Sequence, residues 1–236
     1  MGSGIYIAAA GAESQAAALD VTANNIANAA TTGFKAERVS FRQALDSAQS
    51  ADATYVEGSS KADDQTAGSL VQTSNPLDLA LVGDGYFSVE TDAGTRYTRA
   101  GAFRLDAAGA IINAAGQKAL SNGGGPLTVP PEASQVSVTA TGEVFADGES
   151  IGSLALSRFS PGAMKREGAS LFSTTAAPLD GTPEVVSGAL ESSNVNVVRG
   201  MVDLVKVSRT YESLLRMIEG YRETESRAAR DLGGPK

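Results

Sequence analysis

The chain has no cysteine and no histidine in 236 residues. Their absence removes thiolate nucleophiles, disulfides, zinc sites of the usual kinds and the commonest general base, one of which most hydrolase mechanisms need. It also lets a chain enter an oxidising space without forming wrong bridges. Tryptophan is missing too, and aromatic residues make up only 6% of a chain that is 42% hydrophobic. A core must therefore be built from aliphatic side chains and alanine. Positive charge is scarce: 19 Lys and Arg stand against 27 Asp and Glu, a formal net charge of -8. Non-specific nucleic-acid binding, which depends on cations neutralising phosphates, is not expected. No run approaches the roughly 18 consecutive apolar residues of a membrane span. The first twelve residues are rich in alanine, but the first basic residue is Lys35, so they lack the charged start of a signal peptide. Neither direct membrane insertion nor a cleaved signal is expected.

What is present divides into a beginning, a middle and an end. In the beginning, alternating steps of four and three pass through Ile5, Ala9, Ala12, Ala16, Leu19, Ala23, Ile26 and Ala30, all of them apolar. That is an a/d heptad. A helix from Gly4 to Ala30 would be about 40 Å long at 1.5 Å per residue. Most of the stripe is alanine, which buries little area but permits close backbone approach. An ordinary amphipathic helix on its own core has the same signature. The polar face carries Asn24, Asn25 and Asn28, an odd cluster for a helix because Asn competes for backbone hydrogen bonds. Gly33, after Thr31 and Thr32, is a plausible stop and turn that needs a left-handed conformation.

The end repeats the pattern. Val197, Met201, Leu204, Ser208, Tyr211, Leu215, Ile218 and Arg222 share the four-three spacing. Glu212 precedes Arg216 by four, as Glu223 precedes Arg227, both in the favourable order for a helix. Two heptad helices at opposite ends are expected to pair with each other or with copies of themselves. Between them, Leu77 to Phe159 reads as β structure cut by tight turns: Asp92-Ala93-Gly94, the repeated Asp106-Ala107-Ala108-Gly109 and Asn113-Ala114-Ala115-Gly116, then Thr141-Gly142 and Asp147-Gly148. Residues 46–74 are small and polar and read as an extended linker. Residues 160–183, punctuated by Pro, Gly and Ser, read as an irregular arm. The expected organisation is an N-terminal helix and turn over 1–40, a linker over 41–75, a β-rich domain with its arm over 76–187, and a C-terminal helix over 188–236.

Nothing assembles into a catalytic constellation. Gly83-Asp84-Gly85 lacks the third glycine and the helix of a dinucleotide fingerprint and reads as a turn. Asp63-Asp64 and the pair Asp78 and Asp84 have no base, nucleophile or oxyanion donor beside them. The Asp-to-Gly turns lack calcium-loop spacing. Arg96, Arg99 and Arg104 alternate with Tyr97 and Phe103. This is a strand face that could bind an anion, though structural ion pairs are the simpler role. No enzyme, metal or cofactor is indicated.

Three segments carry a resemblance. Ala18 to Asn28 (ALDVTANNIAN), with Thr31-Thr32-Gly33-Phe34-Lys35 and Arg38-Val39-Ser40-Phe41, resembles the N-terminal signature of flagellar axial proteins. Those are the rod, hook and hook-associated subunits. Ala30 departs from the small polar residue often found there. Ser74 to Phe87 (SNPLDLALVGDGYF), with Tyr97 to Phe103, resembles the β-domain of rod and hook proteins. Gly188 to Asn196 (GALESSNVN), then Met201 to Val205 and Arg209 to Glu212, is similar to the C-terminal motif of the same family.

The resemblance implies an α+β fold. Long terminal helices form a coiled-coil-like axial region and a central antiparallel β-rich domain lies outside it. It implies a structural subunit of the bacterial basal-body rod, a shaft spanning the periplasm. Its partners would be other proximal and distal rod proteins, copies of itself, and the flagellar type III export apparatus. One β-domain and the segments Gly4-Ile5-Tyr6 and Val207 to Glu212 look more like a proximal-rod subunit than a distal-rod or hook subunit. The implied assembly interface comprises Ile5, Ala9, Ala12, Ala16, Leu19, Ala23 and Ile26, the register-fixing Asn24, Asn25 and Asn28, the exit turn at Gly33 and Phe34, and Met201, Leu204, Tyr211, Leu215 and Ile218. A secreted β-domain that binds glycan through its arginine-bearing strands is the rival reading.

Overall fold

The first proline is Pro76, and none falls between Pro183 and Pro235, so neither terminal segment carries a helix breaker. The computed structural model describes residues 2–44, 55–160 and 162–232. Helix α1 spans Gly2–Ala27 and helix α2 spans Val197–Leu232. The start of α2 is capped: Asn196 Oδ1 accepts the Arg199 N–H at 3.0 Å, and the Asn196 carbonyl accepts the Gly200 N–H at 2.8 Å. The expected charge pairs form on its exposed surface, Glu212 with Arg216 at 3.4 Å and Glu223 with Arg227 at 2.6 Å. Exposed pairs of this kind add little stability.

The strands follow in chain order: β1 (Glu37–Ala44), β2 (Tyr55–Asp63), β3 (Leu70–Gln72), β4 (Leu79–Val82), β5 (Tyr86–Thr91), β6 (Gly94–Thr98), β7 (Phe103–Leu105), β8 (Ile111–Asn113) and β9 (Lys118–Ala119). Then come β10 (Val136–Val138), β11 (Glu143–Ala146), β12 (Glu149–Ser153), β13 (Leu156–Ser157), β14 (Lys165–Glu167), β15 (Leu171–Ser173), β16 (Glu184–Ser187) and β17 (Ala189–Glu191). Every pairing with a defined register is antiparallel. The largest sheet runs β14-β15-β6-β5-β9-β8-β7, with β13 also on β5. Three smaller pairings surround it: β10-β11-β12, β16 on β4, and β17 on β3. The chain forms two compact units. One joins α1, α2 and the β1–β2 ribbon. The other comprises residues 28–36 and 63–195.

Strand β5 explains where the second unit keeps its core. Phe87 and Val89 alternate onto one face, among Leu79, Phe103, Ile111 and Val144. Tyr86 points the other way, onto Phe159 and Phe172. A strand covered on both faces buries even Ser88, whose backbone is satisfied by the Ala155 carbonyl and the Leu120 N–H, each at 2.9 Å. The turns behave as their composition requires: Gly109 and Gly116 both take φ 82, which a side chain would resist.

Three expectations differ from this structure. The C-terminal helix expected over 188–236 begins only at Val197, because Ala189–Glu191 pairs with β3 as β17 and belongs to the β unit. The stretch read as an extended linker contains β2 and β3, with residues 45–54 outside the described part. Its polar composition carried no core signal, because a backbone ladder needs no apolar side chains. The arm read as irregular contains the β14–β15 hairpin, which lengthens the main sheet through Phe172 opposite Tyr97.

Phe87 is 1% exposed, with the Phe103 ring edge-on at 5.3 Å. Phe87→Ala is expected to destabilise the β unit by about 3–5 kcal/mol, read as a lower denaturant midpoint in equilibrium unfolding.

Candidate assembly interface

The two helices run antiparallel and meet through small residues. A side chain at Gly4 would touch the Tyr221 ring at 3.2 Å, one at Gly11 would meet Leu214 at 3.5 Å, and one at Gly200 would meet Ile26 at 3.0 Å. The face of α1 turned inward runs through Gly4, Ala8, Gly11, Gln15, Ala18, Thr22 and Asn25, each buried or half-buried. This is the expected heptad displaced by one residue, about 100° around the helix. Apolar periodicity missed it because glycine, glutamine, threonine and asparagine are not apolar, yet small residues are what let backbones approach. Of the expected stripe, Ala12 is buried, Ile5, Ala16, Leu19 and Ile26 are half-buried, and Ala9 and Ala23 are exposed.

On α2 the inward face is Gly200, Leu204, Val207, Tyr211, Leu214 and Ile218. Expected residues Leu204, Tyr211 and Ile218 lie on it, whereas Met201 and Leu215 face outward. The opposite face carries Val198, Met201, Val202 and Val205, between 50% and 74% exposed. Two turns later the same stripe turns charged, with Arg209, Glu212, Arg216 and Glu219.

The asparagines act locally. Asn25 uses its side-chain amide as a peptide mimic: Nδ2 donates to the Glu37 carbonyl and Oδ1 accepts the Glu37 N–H, both at 2.8 Å. It fastens the first residue of β1 to α1. The Asn28 carbonyl accepts the Thr31 N–H at 3.1 Å, and its side-chain Oδ1 accepts the Thr31 hydroxyl at 3.2 Å, closing the turn after α1. Asn24 is exposed.

The segment 28–36 then enters the β unit. Gly33 takes φ 66, the left-handed conformation, and its N–H donates to the Glu191 carbonyl at 2.7 Å. A side chain here would lie 2.3 Å from the Arg99 carbonyl carbon. Phe34 is 1% exposed, with the Arg166 guanidinium 4.8 Å above its ring. Arg166 also donates to the Lys35 carbonyl and pairs with Asp63 at 2.6 Å.

Lys35 is fully buried. Its Nζ lies 2.7 Å from Glu191 Oε1 and 2.8 Å from the Thr66 carbonyl. Arg99, 4% exposed, places Nη1 3.3 Å from Glu191 Oε2 and donates to the Leu81 and Gly83 carbonyls. Glu191 Oε1 also accepts the Gly68 N–H at 2.9 Å. Burial holds Lys35 below the usual lysine range, while the hydrogen bond and charge of Glu191 pull the other way. Burial also pushes the Tyr86 phenol up, against the Arg99 guanidinium 5.6 Å from its ring.

Asn194 completes the joint. Its Oδ1 accepts the Ala36 N–H at 2.7 Å, and Nδ2 donates to the Asp64 and Thr66 carbonyls at 2.9 and 3.0 Å. Among the expected positions only Gly33 and Phe34 belong to this joint. Lys35, Arg99, Glu191 and Asn194 were not among them. Charged residues so far apart in sequence offered no spacing rule, although all four lie within the segments that carried the resemblance.

The comparisons with known proteins divide along the same segments. Residues 5–35 match the family described as flagella basal body rod protein. Residues 80–146 match the flagellar hook protein FlgE/F/G D1 domain, and residues 186–231 the flagellar basal body rod FlgEFG protein C-terminal family. The chain is 30% identical to the flagellar basal-body rod protein FlgF of Rhizobium meliloti across 100% of both chains. It is 34% identical to FlgF of Caulobacter vibrioides across 91% of each. It is 33% identical to the flagellar basal-body rod protein FlgG of Agrobacterium fabrum, across 97% of this chain and 98% of that one.

Two substitutions check the geometry of the turn. Gly33→Ala is expected to destabilise the folded chain by at least about 1–3 kcal/mol, the range for a side chain forced into a sparsely populated conformation, measured by chemical denaturation. Asn25→Ala removes both bonds to Glu37, so the Glu37 amide is expected to exchange with solvent deuterium faster while amides in β5 keep their rates.

Proposed function

This chain belongs to the family of flagellar basal-body rod proteins, and we propose on that premise that it is a proximal-rod subunit that polymerises through its terminal helices. Members are structural subunits of the rod, not enzymes, and the rod of the flagellar basal body is where this chain resides. Assignment to the proximal rod is supported by length. Alignment with the Rhizobium FlgF covers both chains completely in 242 residues, whereas alignment with the Agrobacterium FlgG needs 262.

The observation that carries the polymerisation reading is the outward face of α2. Val198, Met201, Val202 and Val205 present an apolar surface opposite the side that meets α1. Isolated exposed apolar residues are normal, but a contiguous patch marks an interaction surface. At the start of α1, Tyr6 is 72% and Ile7 51% exposed, adding a second apolar surface. Neighbouring copies or other rod proteins cover these surfaces in a coiled-coil-like packing, to which the exposed Ala9 and Ala23 and the outward Met201 and Leu215 contribute. A heterologous contact that does not close on itself builds a helical polymer, and a shaft of interlocked copies transmits torque. The chain reaches the rod through the flagellar type III export apparatus.

Val202→Glu tests this reading in cells. It puts a charge on the outward apolar patch without touching the α1 seam. Export at wild-type level with loss of rod incorporation and swimming is the expected result. Glu219→Arg, on the charged half of the same stripe, is expected to leave both nearly intact. Normal swimming with Val202→Glu would overturn the assignment of this face.

A further inference from the structure

The three charged side chains buried among the described residues, Lys35, Arg99 and Glu191, form one cluster, with two cations and one carboxylate. They come from three remote places: the turn after α1, the strand region after β6, and the last residue of β17. We propose that Glu191 is the positioning residue of the subunit, the sole buried counter-ion that lets the exit turn of α1 seat only once the strand leading into α2 has paired with β3. The inference concerns the folding of the single chain and stands apart from the assembly reading.

The geometry makes the dependence one-sided. Without β17, Lys35 would share a dry site with Arg99, with the half-buried Asp64 as the other carboxylate acting on it. Burying an unpaired charge is far costlier than burying a paired one. The Arg99 side has its own anchors, the Leu81 and Gly83 carbonyls, on the β4 strand and the turn after it. The Lys35 side depends on what β17 brings: the Glu191 carboxylate at 2.7 Å, the Glu191 carbonyl on the Gly33 N–H, and Asn194 on the Ala36 N–H. Both connections of the β unit to the helices, 28–36 and 189–195, are thereby closed by the same event.

If charge balance is what seats the turn, removing a second charge should repair the loss of the first. Glu191→Gln keeps the size and hydrogen-bonding capacity of the side chain but leaves two cations unopposed. Lys35→Met in that background returns the site to a single net positive charge, as in the native chain. Raising the pH should act like Lys35→Met. The charged groups acting on Lys35 are Glu191, Arg99 and Asp64. With Glu191 neutral, burial and Arg99 both favour the uncharged amine, against Asp64 alone. The seated turn then holds the Lys35 proton less tightly than the unseated one, so seating gains stability as pH rises toward the lysine range.

Chymotrypsin reads the turn directly, because Phe34 is 1% exposed and lies within the joint, while Phe87 and Phe103, at 1% and 2%, report on the β core. With the purified full chain, Glu191→Gln is expected to speed cleavage after Phe34 by roughly a hundred- to several-thousandfold at pH 7, the scale of a broken buried pair. Cleavage after Phe87 and Phe103 should stay slow. Lys35→Met/Glu191→Gln should recover most of the protection at Phe34, and Glu191→Gln alone should recover it progressively as the pH is raised above 7 toward the ordinary lysine range. The proposal is overturned if Glu191→Gln leaves Phe34 as protected as in the native chain. It is also overturned if the double variant is cut as fast as the single one, or if Phe87 loses protection together with Phe34.

Discussion

The fold depends on a buried carboxylate that must not be left alone. Glu191 is 1% exposed and takes its charge out of water at a cost of several kcal/mol before pairing. Lys35 and Arg99 offset that cost, and the two cations together would not be tolerated without the carboxylate. The arrangement adds little net stability, since an apolar trio of similar volume would do as well. What it adds is specificity: only one meeting of residues 35, 99 and 191 satisfies all three. Hydrophobic packing around Phe87 acts differently, through the apolar area it removes from water rather than through a match of charges.

That division explains what was legible in the sequence. Both helices were visible through their four-three periodicity, and the hairpin turns through glycine placement, since each rests on local chemistry. The left-handed glycine at position 33 was readable for the same reason. The inward face of α2 was visible through Leu204, Tyr211 and Ile218, but that of α1 was not, because it is defined by missing side chains such as those of Gly4 and Gly11. Strands β2 and β3 were not seen either, because a ladder between polar segments leaves no apolar trace. The ion cluster was invisible to any local rule. Lys35 lies more than one hundred and fifty residues from Glu191 in the chain (a separation of 156), and no spacing encodes a contact of that range.

The asparagine cluster has work within the single chain, separate from any role in assembly. Asn in a helix was expected to work across helices. Within the chain, Asn25 supplies a false peptide group to β1, and Asn28 closes the turn after α1. The competition with backbone hydrogen bonding that makes Asn a poor helix residue is what suits it to both tasks. Helix α1 accepts that cost in its final turns, where the ladder is running out.

The closure of segments 28–36 and 189–195 on one another has an evolutionary consequence. Residues 28–36 and 63–195 form one compact unit, in which the segment after α1 is clasped to the segment before α2. Material added at a distant hairpin tip such as Asp147-Gly148, where a side chain on Gly148 would meet nothing within 4 Å, enlarges that unit without parting those two segments. A lineage can lengthen, trim or redecorate that body freely while Ala36 and Asn194 stay joined.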